Sequence, residues 1–189
     1  FYGYNSALIP VLAKGNEVRI VGSVTEFSGT YQVSGLTYMA MRPNEPDNTA
    51  VVSKGNAVSY KEYTPELFKT NVTITVGEEE KIYKYQELAV STSASMKNLK
   101  VVDTYTTPSN GEFTLTCKLV NADGSLGTVE IDIRTATAFK DADGNMVSAN
   151  SFMNKIIDVK GIVDYFDYNN TGNGTYQIRV FALADIVVK

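Results

Sequence analysis

The sequence predicts an all-β chain, and three observations predict it. Apolar residues alternate with polar ones over most of the length, in runs rich in Val, Ile, Thr, Tyr and Phe. Such side chains suit a pleated, half-buried strand. Turn signals punctuate the runs at Gly15-Asn16, Pro108–Gly111, Asp123-Gly124, Asp143–Asn145 and Asn169–Gly174. Helical 3.6-residue periodicity is scarce. The 189 residues are 43% hydrophobic, enough to fill a core.

Taken in order, the strands fall at Glu17–Thr25, Thr30–Met41, Val72–Val76, Leu99–Tyr105, Glu112–Val120, Thr128–Thr135, Ile156–Phe166 and Thr175–Val188. Short helices are expected at Pro65–Lys69, Tyr85–Ala89 and Val147–Asn154. The stretch Arg42–Asn48, rich in Pro and Asn, reads as a linker. Residues 43–95 as a whole are too long for a structureless loop in a compact domain, so further strands are expected at Tyr60–Tyr63 and Lys81–Tyr85.

An internal repeat is the strongest signal. Val21-Gly22-Ser23-Val24-Thr25-Glu26-Phe27 is followed by Gly29-Thr30-Tyr31-Gln32-Val33. Lys160-Gly161-Ile162-Val163-Asp164-Tyr165-Phe166 is followed by Gly174-Thr175-Tyr176-Gln177-Ile178. The second copy has six more residues in its turn. Gly22 and Gly161 are therefore expected at equivalent points of two strand pairs. A glycine inside a strand marks a sharp bend or a close backbone approach.

The second copy sits in a complete unit of three strands, a short helix and two strands. That is the order of the OB-fold, a five-stranded Greek-key barrel. The stretches Ser95–Leu99, Tyr105–Thr107, Asp141–Asn145, Ile157–Phe166, Tyr176–Val180 and Asp185-Ile186 resemble OB-fold modules strung in tandem in secreted and surface-anchored bacterial proteins, some of them extracellular nucleases. The resemblance covers about residues 95–188, with a half-copy over about 8–42. It implies a domain 1–94, a partial OB-like unit plus a β connecting segment, and a domain 95–189, a complete OB barrel. The first three strands of the partial unit are expected before Phe1 or from elsewhere. The resemblance implies an extracellular or cell-surface location and carries no catalytic residues with it.

Composition excludes several chemistries. The chain has no His and one Cys, so Ser-His and Cys-His catalysis, imidazole metal sites, zinc-cysteine clusters and internal disulfides are absent. No run of about 18 apolar residues exists, so no transmembrane helix is expected. Seventeen basic and 21 acidic residues leave a net charge of -4, which disfavours non-specific nucleic-acid binding. Cys117 alternates with Leu115 and Leu119 and reads as a buried, inert thiol. Asp141–Asn145 fails the EF-hand pattern, because Met146 and Phe152 stand where Gly and Glu are needed. Glu130 and Asp132 read as solvated carboxylates on the outer face, and Glu78–Glu80 as a solvated turn. No metal site and no cofactor are expected.

Candidate ligand contacts lie in the loops after the first and fourth strands of the complete unit, where OB barrels bind their ligands. These are Tyr105, Tyr165, Phe166, Tyr168, Asn169 and Asn170. Aromatic rings pack on the pyranose face and amides bond hydroxyls, so the set suits a glycan; a protein partner is the other ligand class. The outward residues of the second and third strands, Glu112, Thr114, Thr116, Lys118, Glu130, Asp132 and Arg134, hold no aromatic for base stacking. The expected function is a non-catalytic, extracellular binding or spacer module. The alternative is a nucleic-acid-binding accessory of a secreted nuclease.

Overall fold

In the computed structural model the described residues are 8–27, 30–37, 44, 46–167 and 171–189. Thirteen strands and two short helices are seen among them. They are β1 (Glu17–Ile20), β2 (Ser23–Phe27), β3 (Thr30–Ser34), β4 (Thr49–Ser53), β5 (Lys61–Glu62), α1 (Pro65–Phe68), β6 (Asn71–Val76), β7 (Glu79–Lys84), α2 (Tyr85–Ala89), β8 (Ser93–Thr106), β9 (Phe113–Val120), β10 (Leu126–Thr135), β11 (Ile156–Phe166), β12 (Thr175–Val180) and β13 (Ile186–Val188). The chain divides into two compact units. One holds residues 1–59 and 166–174, the other 60–165 and 175–189.

The second unit is built on a closed five-strand barrel. Its strands run β8-β9-β10-β12-β11, and β11 returns to β8 to close it. Most pairings are antiparallel, but β10 and β12 run parallel, with Ile133 opposite Ile178. Closure removes the free edges that an open sheet would present. Phe113, Leu115, Cys117, Ile131, Ile133, Ile157, Val159, Val163, Ile178 and Val180 all point inward and are buried. The intervening residues face out, so the two-residue alternation in the sequence is the barrel wall seen from its two sides. A 3-10 turn at Ala149–Phe152 plugs one end: Phe152 stacks 5.7 Å from Phe113, which meets Phe139 edge-on at 6.0 Å.

The unit begins at Tyr60, earlier than the expected boundary after residue 94. The reason is packing. β5 pairs in parallel with the start of β8, and Tyr63 and Phe68 enter the barrel core cluster. The Tyr63 ring lies 5.4 Å from Phe68 and 5.9 Å from Tyr85, tying both helices to it. α1 starts where Thr64 Oγ1 accepts the Leu67 N–H and Pro65 occupies the first turn, where its missing N–H costs nothing. α2 starts where Glu87 accepts the Lys84 N–H at 2.9 Å. Between them β6 and β7 form a hairpin turning at Gly77-Glu78, with Gly77 at φ 67°.

Two expected strands are divided and a third ends early. The Glu17–Thr25 run breaks at Val21-Gly22 into β1 and β2. The Thr175–Val188 run breaks at a 3-10 turn, Leu183–Asp185, so that β13 pairs with β11 instead of prolonging β12. The Thr30–Met41 strand ends at Ser34, with Gly35 at φ 72°; residues 38–41 lie outside the described residues. In the expected linker, Asn48 is a hub: its Oδ1 accepts the Thr37 N–H and its Nδ2 donates to the Gly35 carbonyl.

In the first unit β1 pairs with β4 and β2 with β3, each antiparallel. Their local geometry follows that of β11 to β13. Val18 faces Val51, Arg19 faces Ala50 and Ile20 faces Thr49. Ile157 faces Val188, Asp158 faces Val187 and Val159 faces Ile186. Each glycine of the repeat stands two residues further on. A Cβ on Gly22 would meet the Ser34 carbonyl oxygen and Val33; one on Gly161 would meet the Arg179 carbonyl oxygen and Ile178. Ser34 and Arg179, and Val33 and Ile178, are matching residues of the two GTYQ strands.

Candidate functional site

The expected ligand residues do not gather into one described cluster. Tyr105 stands at the end of β8 opposite Thr114 and is 59% exposed. Tyr165 is half-buried, its ring 4.7 Å from Tyr176, so its face is committed to a neighbouring aromatic. Burial, then the charge of Glu87, pushes the Tyr176 hydroxyl above its ordinary range. Phe166 is 53% exposed and belongs with the first compact unit. Tyr168, Asn169 and Asn170 lie outside the described residues. Asp167 at the base of their loop is buried, and its carboxylate accepts the Gly172 N–H at 2.7 Å and the Thr171 hydroxyl at 3.4 Å.

The loop between β8 and β9 is held by Arg134 of β10. The Arg134 guanidinium donates to Glu112 at 2.7 Å, to Thr107 Oγ1 at 3.0 Å and to Thr114 Oγ1 at 3.1 Å. Lys118 pairs with Glu130 at 3.3 Å, and Thr116 donates to Asp132 at 2.8 Å. The charges of this outer face thus neutralise one another. No aromatic ring stands among these outward residues, so the face offers bases nothing to stack on and phosphates no row of free cations.

A different concave feature was not legible in the sequence. An open groove of about 590 Å³ lies on the second unit, where the outward side chains of β8 and β11 form a floor between β5 and β13. Tyr60, Glu62, Lys97, Asp158, Lys160 and Asp185 line it. Its floor depends on an irregularity in β8. Leu99 pairs with Ile157 and Met96 with Val159, so Lys97 and Asn98 together oppose Asp158. This is a β-bulge, which re-aims side chains. Asn98 takes φ 56°, a left-handed conformation that Asn tolerates, and its N–H donates to Asp158 Oδ1 at 2.8 Å. Asp158 also pairs with Lys189 at 3.0 Å. Lys97 pairs with Glu62 at 2.5 Å; that bond, and then the Glu62 charge, holds the ammonium above its ordinary range. Lys160 stands over the Tyr60 ring at 5.6 Å. Asn98 was the only local hint, and it points to a turn as readily as to a bulge.

Two other expected readings have their geometry. Cys117 is buried and free, and burial pushes its thiol far up, so it is no nucleophile at neutral pH. In the Asp141 turn, Oδ1 accepts the N–H groups of Asp143 at 3.0 Å and Asn145 at 2.8 Å, so the carboxylate serves the turn itself. Among the described residues no group of three or more His, Cys, Asp and Glu is placed to hold a metal ion. No described helix is long and apolar enough to cross a membrane. Compared with family models, curated proteins and solved structures, the chain matches none.

Proposed function

We propose that the second unit is an OB-fold and that the protein is a non-catalytic ligand-binding or spacer module of an extracellular bacterial protein. The strand order supports the fold reading: first to second to third to fifth to fourth and back to first, with the third and fifth parallel and a 3-10 turn before the fourth. The resemblance of residues 95–188 to modules of secreted bacterial proteins supports the setting.

One observation carries the functional reading. The outer charges of β9 and β10 are paired with one another, while aromatic and amide side chains concentrate in the loop after β11. Such a loop suits a neutral polar ligand of the glycan class, with Tyr168, Asn169 and Asn170 as contacts and Tyr105, Tyr165 and Phe166 as further candidates. The single thiol is buried, which supports a role without covalent chemistry. The test is calorimetric titration of the 189-residue chain with a panel of neutral oligosaccharides, alongside anisotropy with single-stranded DNA at two salt concentrations. Binding of a sugar with little salt dependence is expected. Sub-micromolar DNA binding that weakens steeply with salt would replace this reading with the nuclease-accessory one, since even basic proteins bind non-specifically at only about 10⁻⁴–10⁻⁶ M.

A further inference from the structure

We infer that the groove between β5 and β13 binds a short zwitterionic peptide, with the peptide carboxylate at Lys160 beside Tyr60 and its ammonium at Asp185. This site is separate from the loop after β11 and does not depend on any sugar.

Most of the charged side chains at the groove are already matched. Lys97 pairs with Glu62 at 2.5 Å, and Asp158 pairs with Lys189 at 3.0 Å. Lys160 and Asp185 are left. Among the described residues the Lys160 ammonium has only the Tyr60 ring, 5.6 Å away, and the Asp185 carboxylate has no hydrogen-bond or ion-pair partner.

Strand register makes that separation informative. β11 and β13 are antiparallel, with Asp158 opposite Val187 and Val159 opposite Ile186. One step on, Lys160 follows on β11 and Asp185 stands just before β13, so their backbones are neighbours. The Lys160 side chain nevertheless leans the other way, toward Tyr60 at the start of β5. The groove thus holds a cation at its β5 wall and an anion at its β13 wall. A ligand of one sign would satisfy one wall and be repelled by the other. A neutral ligand with opposite charges at its two ends satisfies both.

The floor narrows the class further. Ser95 stands on β8 between Glu62 of β5 and Lys160 of β11. It lines the groove and is 8% exposed, yet its hydroxyl makes no hydrogen bond among the described residues. Polar groups so well covered normally have a partner. A hydroxyl both donates and accepts, so it can meet the N–H or the C=O of a peptide bond. Ala184 and Val187 give the β13 wall an apolar surface for small side chains. The volume of about 590 Å³ falls within the range of small-ligand sites, so it takes a few residues rather than a folded partner.

The test titrates the 189-residue chain with trialanine, its N-acetylated form, its C-terminal amide and free alanine, read by amide chemical shifts. Trialanine is expected to shift the amides of Ser95, Lys160 and Asp185. Each blocked form is expected to bind about tenfold more weakly, through the loss of one charge-assisted contact. Variants then assign the ends. Lys160→Gln should erase the difference between trialanine and its amide, and Lys160→Arg should restore it. Asp185→Asn should erase the difference between trialanine and its acetylated form. The blocked ligands test the parent chain itself, so a variant that misfolds leaves the result readable. Tyr168→Ala with Asn170→Ala should leave trialanine binding unchanged, so this site and the glycan reading of the loop fail separately. Absence of shifts in the groove, shifts confined to the loop after β11, or equal binding of the blocked forms would overturn the inference. Free alanine binding as tightly as trialanine would overturn the peptide class.

Discussion

Gly161 sits where a Cβ would come within 2.3 Å of the Arg179 carbonyl oxygen and 2.9 Å of Ile178 Cγ2. Neither neighbour gives way easily: one is backbone of β12, the other is a fully buried core side chain. Only a residue without a side chain lets β11 approach β12 at this point. Gly22 stands likewise, with a Cβ there 2.6 Å from the Ser34 carbonyl oxygen.

Gly161→Ala should therefore destabilise the second unit by about 3 kcal/mol, at the upper end of ordinary overpacking. Gly22→Ala should act on the first unit alone. Urea unfolding followed by amide exchange, which reads each unit separately, checks both. A Gly161→Ala protein of unchanged midpoint would mean that the close approach is relieved by a small backbone shift.

Glu66 offers the opposite case. Both carboxylate oxygens are buried without a hydrogen-bond partner among the described residues, and Oε1 lies 2.2 Å from where a Cβ on Gly127 would stand. An unpartnered buried polar group costs about 1–3 kcal/mol. Glu66→Met keeps much of the volume and removes the polar atoms, so the melting temperature should rise. Gly127→Ala should cost less than Gly161→Ala, because the end of a flexible side chain can swing away where backbone cannot. A fall in melting temperature for Glu66→Met would show that the carboxylate is solvated or partnered in solution.

Two exposed turns should report acid. Hydrogen bonds from Ser125 hold the Asp123 carboxyl below its ordinary value, and those from Asn145, then Asp143 and Gly144, hold Asp141 below its own. A depressed folded-state value stabilises the turn above the unfolded value and loses that stabilisation as pH falls through the folded one. Both turns should therefore be intact at neutral pH and loosen only below the ordinary aspartate range. Carboxyl titration by NMR checks this; midpoints at or above the ordinary value would contradict the hydrogen-bonded turns.

The barrel was legible because strands such as β9 alternate strictly. Phe113, Leu115 and Cys117 inside, with Thr114, Thr116 and Lys118 outside, leave only one register consistent with a buried face. The close approach at Gly161 was legible because a glycine inside such a run weakens the strand unless a bend or a close backbone approach requires it. The pairing of β1 with β4 was not legible. Thr49–Ser53 and Ile186–Val188 share little beyond β-branched character, and register comes from partners that a linear reading does not bring together. The groove was hidden for the same reason. Tyr60, Lys97, Asp158 and Asp185 are scattered in sequence, and Lys97 is aimed by a bulge that only the pairing of β8 with β11 reveals. A strand over Tyr60–Tyr63 was legible, but the boundary at Tyr60 escaped because two residues, Lys61–Glu62, do not reveal that their partner is the start of β8.

The loop after β11 gives the last prediction. It is six residues longer than its counterpart after β2, more than a hairpin needs, and it concentrates Tyr168, Asn169 and Asn170. Asp167 cinches its base through Gly172 and Thr171. Residues in a loop are in general able to vary without disturbing the scaffold that carries it. Tyr168→Ala combined with Asn170→Ala should leave the melting temperature nearly unchanged. It should weaken binding of whichever neutral oligosaccharide titrates by about tenfold, the loss of roughly one ring contact and one amide bond. Asp167→Ala should behave differently, lowering protection of the loop amides because two donors lose their acceptor. A double variant that unfolds the barrel would make Tyr168 and Asn170 structural. One that binds the sugar as well as the parent does would move the site elsewhere, and the groove lined by Tyr60 and Asp185 is then the place to mutate next.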